Sequence, residues 1–79
     1  MRGVIVVILD KLAADYSSPL FFNNVECAKR YFFGLKAQAG SNFTDFELYL
    51  IANYDTSKGI FEDCCQELLL KGNAIDEVK

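Results

Sequence analysis

Phe46-Glu47-Leu48-Tyr49-Leu50-Ile51-Ala52-Asn53-Tyr54 is the stretch on which the fold turns. Phe46, Leu48, Leu50, Ala52 and Tyr54 fall on one side, and Glu47, Tyr49, Ile51 and Asn53 on the other. A period of two predicts a β-strand with a fully apolar inner face and a mixed outer face. Asp55-Thr56-Ser57-Lys58-Gly59 reads as a hairpin connection: the aspartate opens the turn and Gly59 supplies a positive φ. Ile60-Phe61-Glu62 then returns as a short strand.

Upstream, Val25, Ala28, Phe32, Leu35 and Ala39 recur at helical spacing, which places them on one face of a helix over 24–39. Asn23-Asn24 offers an N-cap, and Gly40 closes the helix. Gly34 sits inside, nearly opposite the apolar stripe. Ser41–Asp45 reads as a loop. Nearer the N-terminus, Gly3–Leu9 is a β-branched strand that predicts burial on both faces. Lys11–Ala14 can form a helical turn, Ser17-Ser18-Pro19 a break, and Leu20–Phe22 a short extended piece. Downstream, Cys64–Lys71 reads as a short helix that buries Cys65, Leu68 and Leu69 and ends at Gly72. Asn73–Lys79 reads as a frayed polar tail. The expected fold is α+β, one domain over residues 1–79. A small sheet of about three strands, in β-α-β-β order with a hairpin, packs against one main helix, and a short C-terminal helix follows.

Composition limits the function classes. Of 79 residues 52% are apolar, enough for a real core. A core of this size rarely leaves more than about 3–5 kcal/mol without a staple, so a homo-oligomer is favoured over a monomer. The longest apolar run, Val4–Leu9, is far short of the roughly 20 residues that span a bilayer, and Asp10-Lys11 ends it without a signal-peptide cleavage pattern. A cytoplasmic protein with no membrane partner is expected. Three cysteines (Cys27, Cys64, Cys65) are not a disulfide framework. With no histidine and only three thiols, neither a metal nor another cofactor is expected. Net charge is −3, unevenly spread: residues 1–40 carry five basic groups against three acidic, and residues 41–79 three against eight.

The helix carries the main candidate site. Beside the apolar stripe come Lys36, Lys29 and Phe33, then Glu26 and Arg30. Cations can neutralise phosphates and an exposed ring can stack on an unpaired base. The same residues also suit an ordinary solvated flank, with Glu26 and Arg30 as an i,i+4 pair. Tyr49, on the outer strand face, is a further stacking candidate, though such a ring is more often covered by a helix or a second subunit. Asp10, Asp15, Asp45, Glu47 and Asp55 lack any histidine or phosphate loop to work with, so no catalytic residue is assigned and an enzyme is not expected. Cys64-Cys65 reads as one buried and one exposed thiol.

Several of these residues together resemble the small nonstructural protein of gokushoviruses, single-stranded-DNA phages of the microvirus group. The resemblance rests on Asp10-Lys11, Ala13-Ala14-Asp15-Tyr16, Pro19, Asn24, Ala28, Arg30 and Phe32. It continues through Ser41, Asp45-Phe46, Leu48-Tyr49, Ile51, Tyr54-Asp55 and Gly59. It departs at Thr44, where that family often has proline, and at Ala52, where it has glycine. The resemblance implies a nonenzymatic accessory protein, similar to microvirus protein C, acting in single-stranded genome replication and packaging in the host bacterial cytoplasm. Its expected partners are single-stranded DNA, bound weakly and salt-sensitively through Lys29, Arg30, Phe33, Lys36 and Tyr49, and replication or capsid proteins. The alternative is an adaptor that docks on a phage or host protein through its acidic half.

Overall fold

A computed structural model describes residues 1–73. Six strands and one α-helix follow in the order β1 (Arg2–Asp10), β2 (Asp15–Tyr16), β3 (Leu20–Phe22), α1 (Val25–Ala39), β4 (Phe46–Asp55), β5 (Ile60–Glu62) and β6 (Glu67–Lys71). All pairings are antiparallel. The two long strands, β1 and β4, lie side by side along their length. The short ones finish the outer rows: β2 and β3 along β1, β5 and β6 along β4. This corrects the expected three-strand sheet with a short helix over 64–71: among the described residues strand outweighs helix, and the sheet is a six-strand curled one packed with α1.

The correction has two physical sources. Leu20–Phe22, read as an extended piece, is a true strand because β1 leaves a row of unpaired backbone groups that Val4, Ile5 and Val6 offer to Phe22, Phe21 and Leu20. Cys64–Lys71 reads in the sequence as a short helix. Instead Glu67–Lys71 pairs with Glu47–Leu50, because the free edge of β4 satisfies five residues' backbone better than an isolated helix of two turns would. Gly72 does not cap a helix. It lies so close to the Phe43 carbonyl that a Cβ has no room there. The tail expected to fray lies, beyond Asn73, outside the described residues.

Helix α1 forms as its periodicity predicts. The Asn24 side chain accepts from the Cys27 N–H at 2.9 Å. Gly40, at φ 60°, donates its N–H to the Lys36 carbonyl and ends the helix. The expected loop that follows is a 3-10 turn, Gly40–Asp45, and it drives Phe43 fully into the core. The core lies between helix and sheet: Val4, Val6 and Ile8 of β1, Leu48 of β4, Ala28 and Phe32 of α1, and Phe43. Phe32 and Phe43 stack at 4.9 Å between ring centroids. Burying each such ring contributes about 1.5–3 kcal/mol.

Strand β4 holds the detail that alternation alone hides. Val6 pairs with Leu50 but Ile5 pairs with Ala52, so Ile51 is an extra residue, a β-bulge. Its carbonyl accepts from the Cys65 N–H at 2.7 Å, which ties the β5–β6 connection to the kink. A one-residue insertion inverts every later side chain. Phe46, Leu48 and Leu50 therefore face the helix, as read, whereas Ala52 and Tyr54 face the other way. The β4–β5 hairpin is as expected: Asp55 accepts from Ser57 N–H at 2.9 Å and Gly59 has φ 68°.

Candidate nucleic-acid interface

At about 100° per residue, the buried line of α1 is centred on Phe32, and Lys36, Lys29, Phe33 and Arg30 follow in that order around one flank. These four run along one flank of the helix, from the half-buried Lys36 and Lys29 beside the buried line to the exposed Phe33 and Arg30. Phe33 is 47% exposed and touches no other ring. Arg30 is exposed and Lys29 half-buried. Neither makes an ion pair among the described residues, whose pairs are Arg2 with Glu62 and Asp63, and Lys11 with Glu47. The Glu26–Arg30 pair open to the sequence does not form. Lys36 is half-buried and partnered, so the flank's available cations are Lys29 and Arg30. Gly34 faces open space, with nothing within 4 Å of where a Cβ would stand.

Tyr49 does not join this cluster. It is next to Leu48, which faces the helix, so its ring stands on the opposite side of the sheet. There its hydroxyl donates to Glu47 Oε1 at 2.7 Å, and the ring meets Tyr16 edge-on at 6.2 Å. Glu47 is itself buried and lies 3.6 Å from the Lys11 ammonium. The hydrogen bond to the Glu47 carboxylate, with burial and the charge of that carboxylate in support, raises the Tyr49 phenol above its usual 10.0.

Sequence reasoning missed what surrounds Tyr49. Residues paired across a sheet share a face, so the register collects Gly3, Ile5, Val7 and Leu9 of β1 with Tyr16, Phe21, Tyr49, Ala52, Tyr54, Phe61 and Leu68. Phe21, Tyr54 and Phe61 form a chain of edge-on rings at 5.9 and 5.4 Å. Gly3 makes room for it, since a Cβ there would strike the Phe21 ring. The only signal was the aromatic load, seven Phe and four Tyr, more than one small core accepts.

Of the acidic half's described carboxylates, Glu47, Glu62 and Asp63 are in ion pairs and Asp55 holds a turn. Cys64 and Cys65 are both exposed, where one buried thiol was expected. Among the described residues no three His, Cys, Asp or Glu side chains stand together to hold a metal, and no helix is long and apolar enough to cross a membrane.

Fold and surface define a class: a small curled antiparallel sheet with one helix, presenting a cationic aromatic flank on one side and an apolar sheet face on the other. The chain belongs to the Phage ORF5 protein family, whose sequence model matches residues 3–75. Neither the curated proteins nor the solved structures gave a match. It is a small phage protein.

Proposed function

We propose that this protein is a nonenzymatic accessory factor of a single-stranded-DNA phage, of the gokushovirus kind, that contacts single-stranded DNA during genome replication and packaging. One observation carries the reading: Lys29 and Arg30 lack carboxylate partners among the described residues, and they flank the exposed ring of Phe33 on one side of α1. Unpaired cations release counterions from phosphates, and a ring between them offers a face to an unstacked base. Membership of a phage family supports this setting. Two cations are few, and the net charge is −3, so binding is weak and falls steeply with salt. The alternative remains an adaptor that docks on a phage or host protein through its acidic half, where Glu62 and Asp63 pair with Arg2 and Glu47 with Lys11.

Anisotropy of a labelled single-stranded oligonucleotide, titrated with the full chain at low salt, tests the proposal. Binding that weakens at least tenfold in Lys29→Ala with Arg30→Ala, and less in Phe33→Ala, is the expected result. A flat titration at low salt, or unchanged binding by the double variant, removes it.

A further inference from the structure

The sheet face opposite the helix is the largest feature the nucleic-acid reading leaves unused. Five rings (Tyr16, Phe21, Tyr49, Tyr54 and Phe61) share it with Ile5, Val7, Leu9, Ala52 and Leu68; Ile5, Val7 and Ala52 are buried beneath their neighbours, and the Gln66 amide donates to the Tyr16 hydroxyl at 3.0 Å. Phe61 is 61% exposed, and Tyr16, Phe21 and Leu68 are each exposed too. Contiguous apolar surface of this extent on a small chain marks an interaction site.

From this we infer that the face is a homodimer interface, on which a second copy of the chain packs sheet against sheet. Three observations select that occupant. The face carries little charge: one carboxylate, Glu47, lies 3.6 Å from Lys11 and across the register from Lys71, so each copy brings a single net positive charge. Phosphates would find only those two lysines, one of them already paired with Glu47, which disfavours a nucleic acid here. Size also fits. Four strand rows at ~4.8 Å and a strand of nine residues at ~3.4 Å bound the footprint at about 19 by 30 Å, which the curl and the short outer strands reduce. With side-chain relief, that is of the order of the roughly 800 Å² per partner of a stable interface. Finally, the helix-side core holds seven buried side chains among the described residues, five of them fully buried, so a second apolar layer supplies what a chain of this size lacks.

Sheets packed face to face stand about 10 Å apart and interdigitate their side chains. The Phe21–Tyr54–Phe61 row then lies over its mate, and both α1 helices stay outermost. Lys29, Arg30 and Phe33 remain open on each copy, so the dimer and the nucleic-acid reading are independent and compatible.

Sedimentation equilibrium of the full chain decides it. The expected mass is twice 8.9 kDa, with a melting temperature that rises with protein concentration, as for any linked dimer. Phe61→Glu with Leu68→Glu, at sites already open to solvent in one copy, halves the mass while far-UV circular dichroism stays that of the wild type. Phe33→Glu, on the helix, keeps the dimer. A single-copy mass with a concentration-independent melt overturns the inference. So does a dimer that survives Phe61→Glu with Leu68→Glu, or one that Phe33→Glu splits. Should the single copy instead show tyrosine emission quenched by an oligonucleotide, and lose that quenching in the Phe61 and Leu68 double variant, the face belongs to nucleic acid and not to a second copy.

Discussion

The two faces of one sheet are buried by different means. On the helix side Val4, Val6, Ile8 and Leu48 lie beneath Phe32 and Phe43, an inter-element core. On the other side Ile5 and Val7 are each only 9% exposed, with no described helix above them. There the neighbouring rings of the same sheet lean over β1, and those rings themselves remain open. The reading of β1 as a strand buried on both faces therefore holds, but one burial is complete and the other is half-finished. A face finished by its own chain contributes to folding; one finished only by its own edges is available for association.

That contrast can be broken from either side. The largest effect falls on the covered face: Phe32→Ala leaves a cavity worth about 3–5 kcal/mol, as much as the whole stability of a small domain, so its cooperative thermal transition is lost. Gly3→Ala acts on the opposite face and costs less, about 1–3 kcal/mol by overpacking, because its methyl group must displace both the Phe21 ring and the Phe22 carbonyl of β3. A chemical denaturation midpoint reads both. Gly34→Ala touches neither face. Since nothing stands within 4 Å of its Cβ, it stabilises the helix by up to about 1 kcal/mol, raising the melting temperature.

The smallest effect is a titration. Tyr49 keeps its proton beyond 10.0 because the neutral phenol donates to Glu47 in the folded state. Its folded pKa is raised above the unfolded value, so its contribution to stability is complete below pH 10 and is lost as pH climbs through the raised value. Tyrosinate absorbance of the wild type shows a late phase above pH 10, and Tyr49→Phe removes it. Survival of that phase in the variant would assign it elsewhere.

Much of the architecture was legible in local pattern. The α1 stripe, its Asn24 cap, the Asp55–Gly59 turn and the strands β1, β4 and β5 all follow from spacing and turn chemistry, which act within a few residues. What escaped depends on contacts distant in sequence. Ile51 bulges where the register with β1 skips it and its carbonyl accepts from the Cys65 N–H instead, and no alternation rule shows where a register shifts. Leu68-Leu69-Leu70 suits a helix or a buried strand equally, and the open edge of β4 decides. Phe43 hid in a polar stretch that looked like a loop. For the site, Lys29, Arg30 and Phe33 could be grouped from helical phase alone, and alternation placed Tyr49 on the outer strand face, but that this face lies across the sheet from the helix took the assembled sheet.

Sedimentation velocity of the full chain with and without a labelled single-stranded oligonucleotide at low salt tests the division of labour directly. Two copies sedimenting as one particle that carries the label is the predicted outcome. A single copy, with the label moving at the rate of the free oligonucleotide, would contradict it.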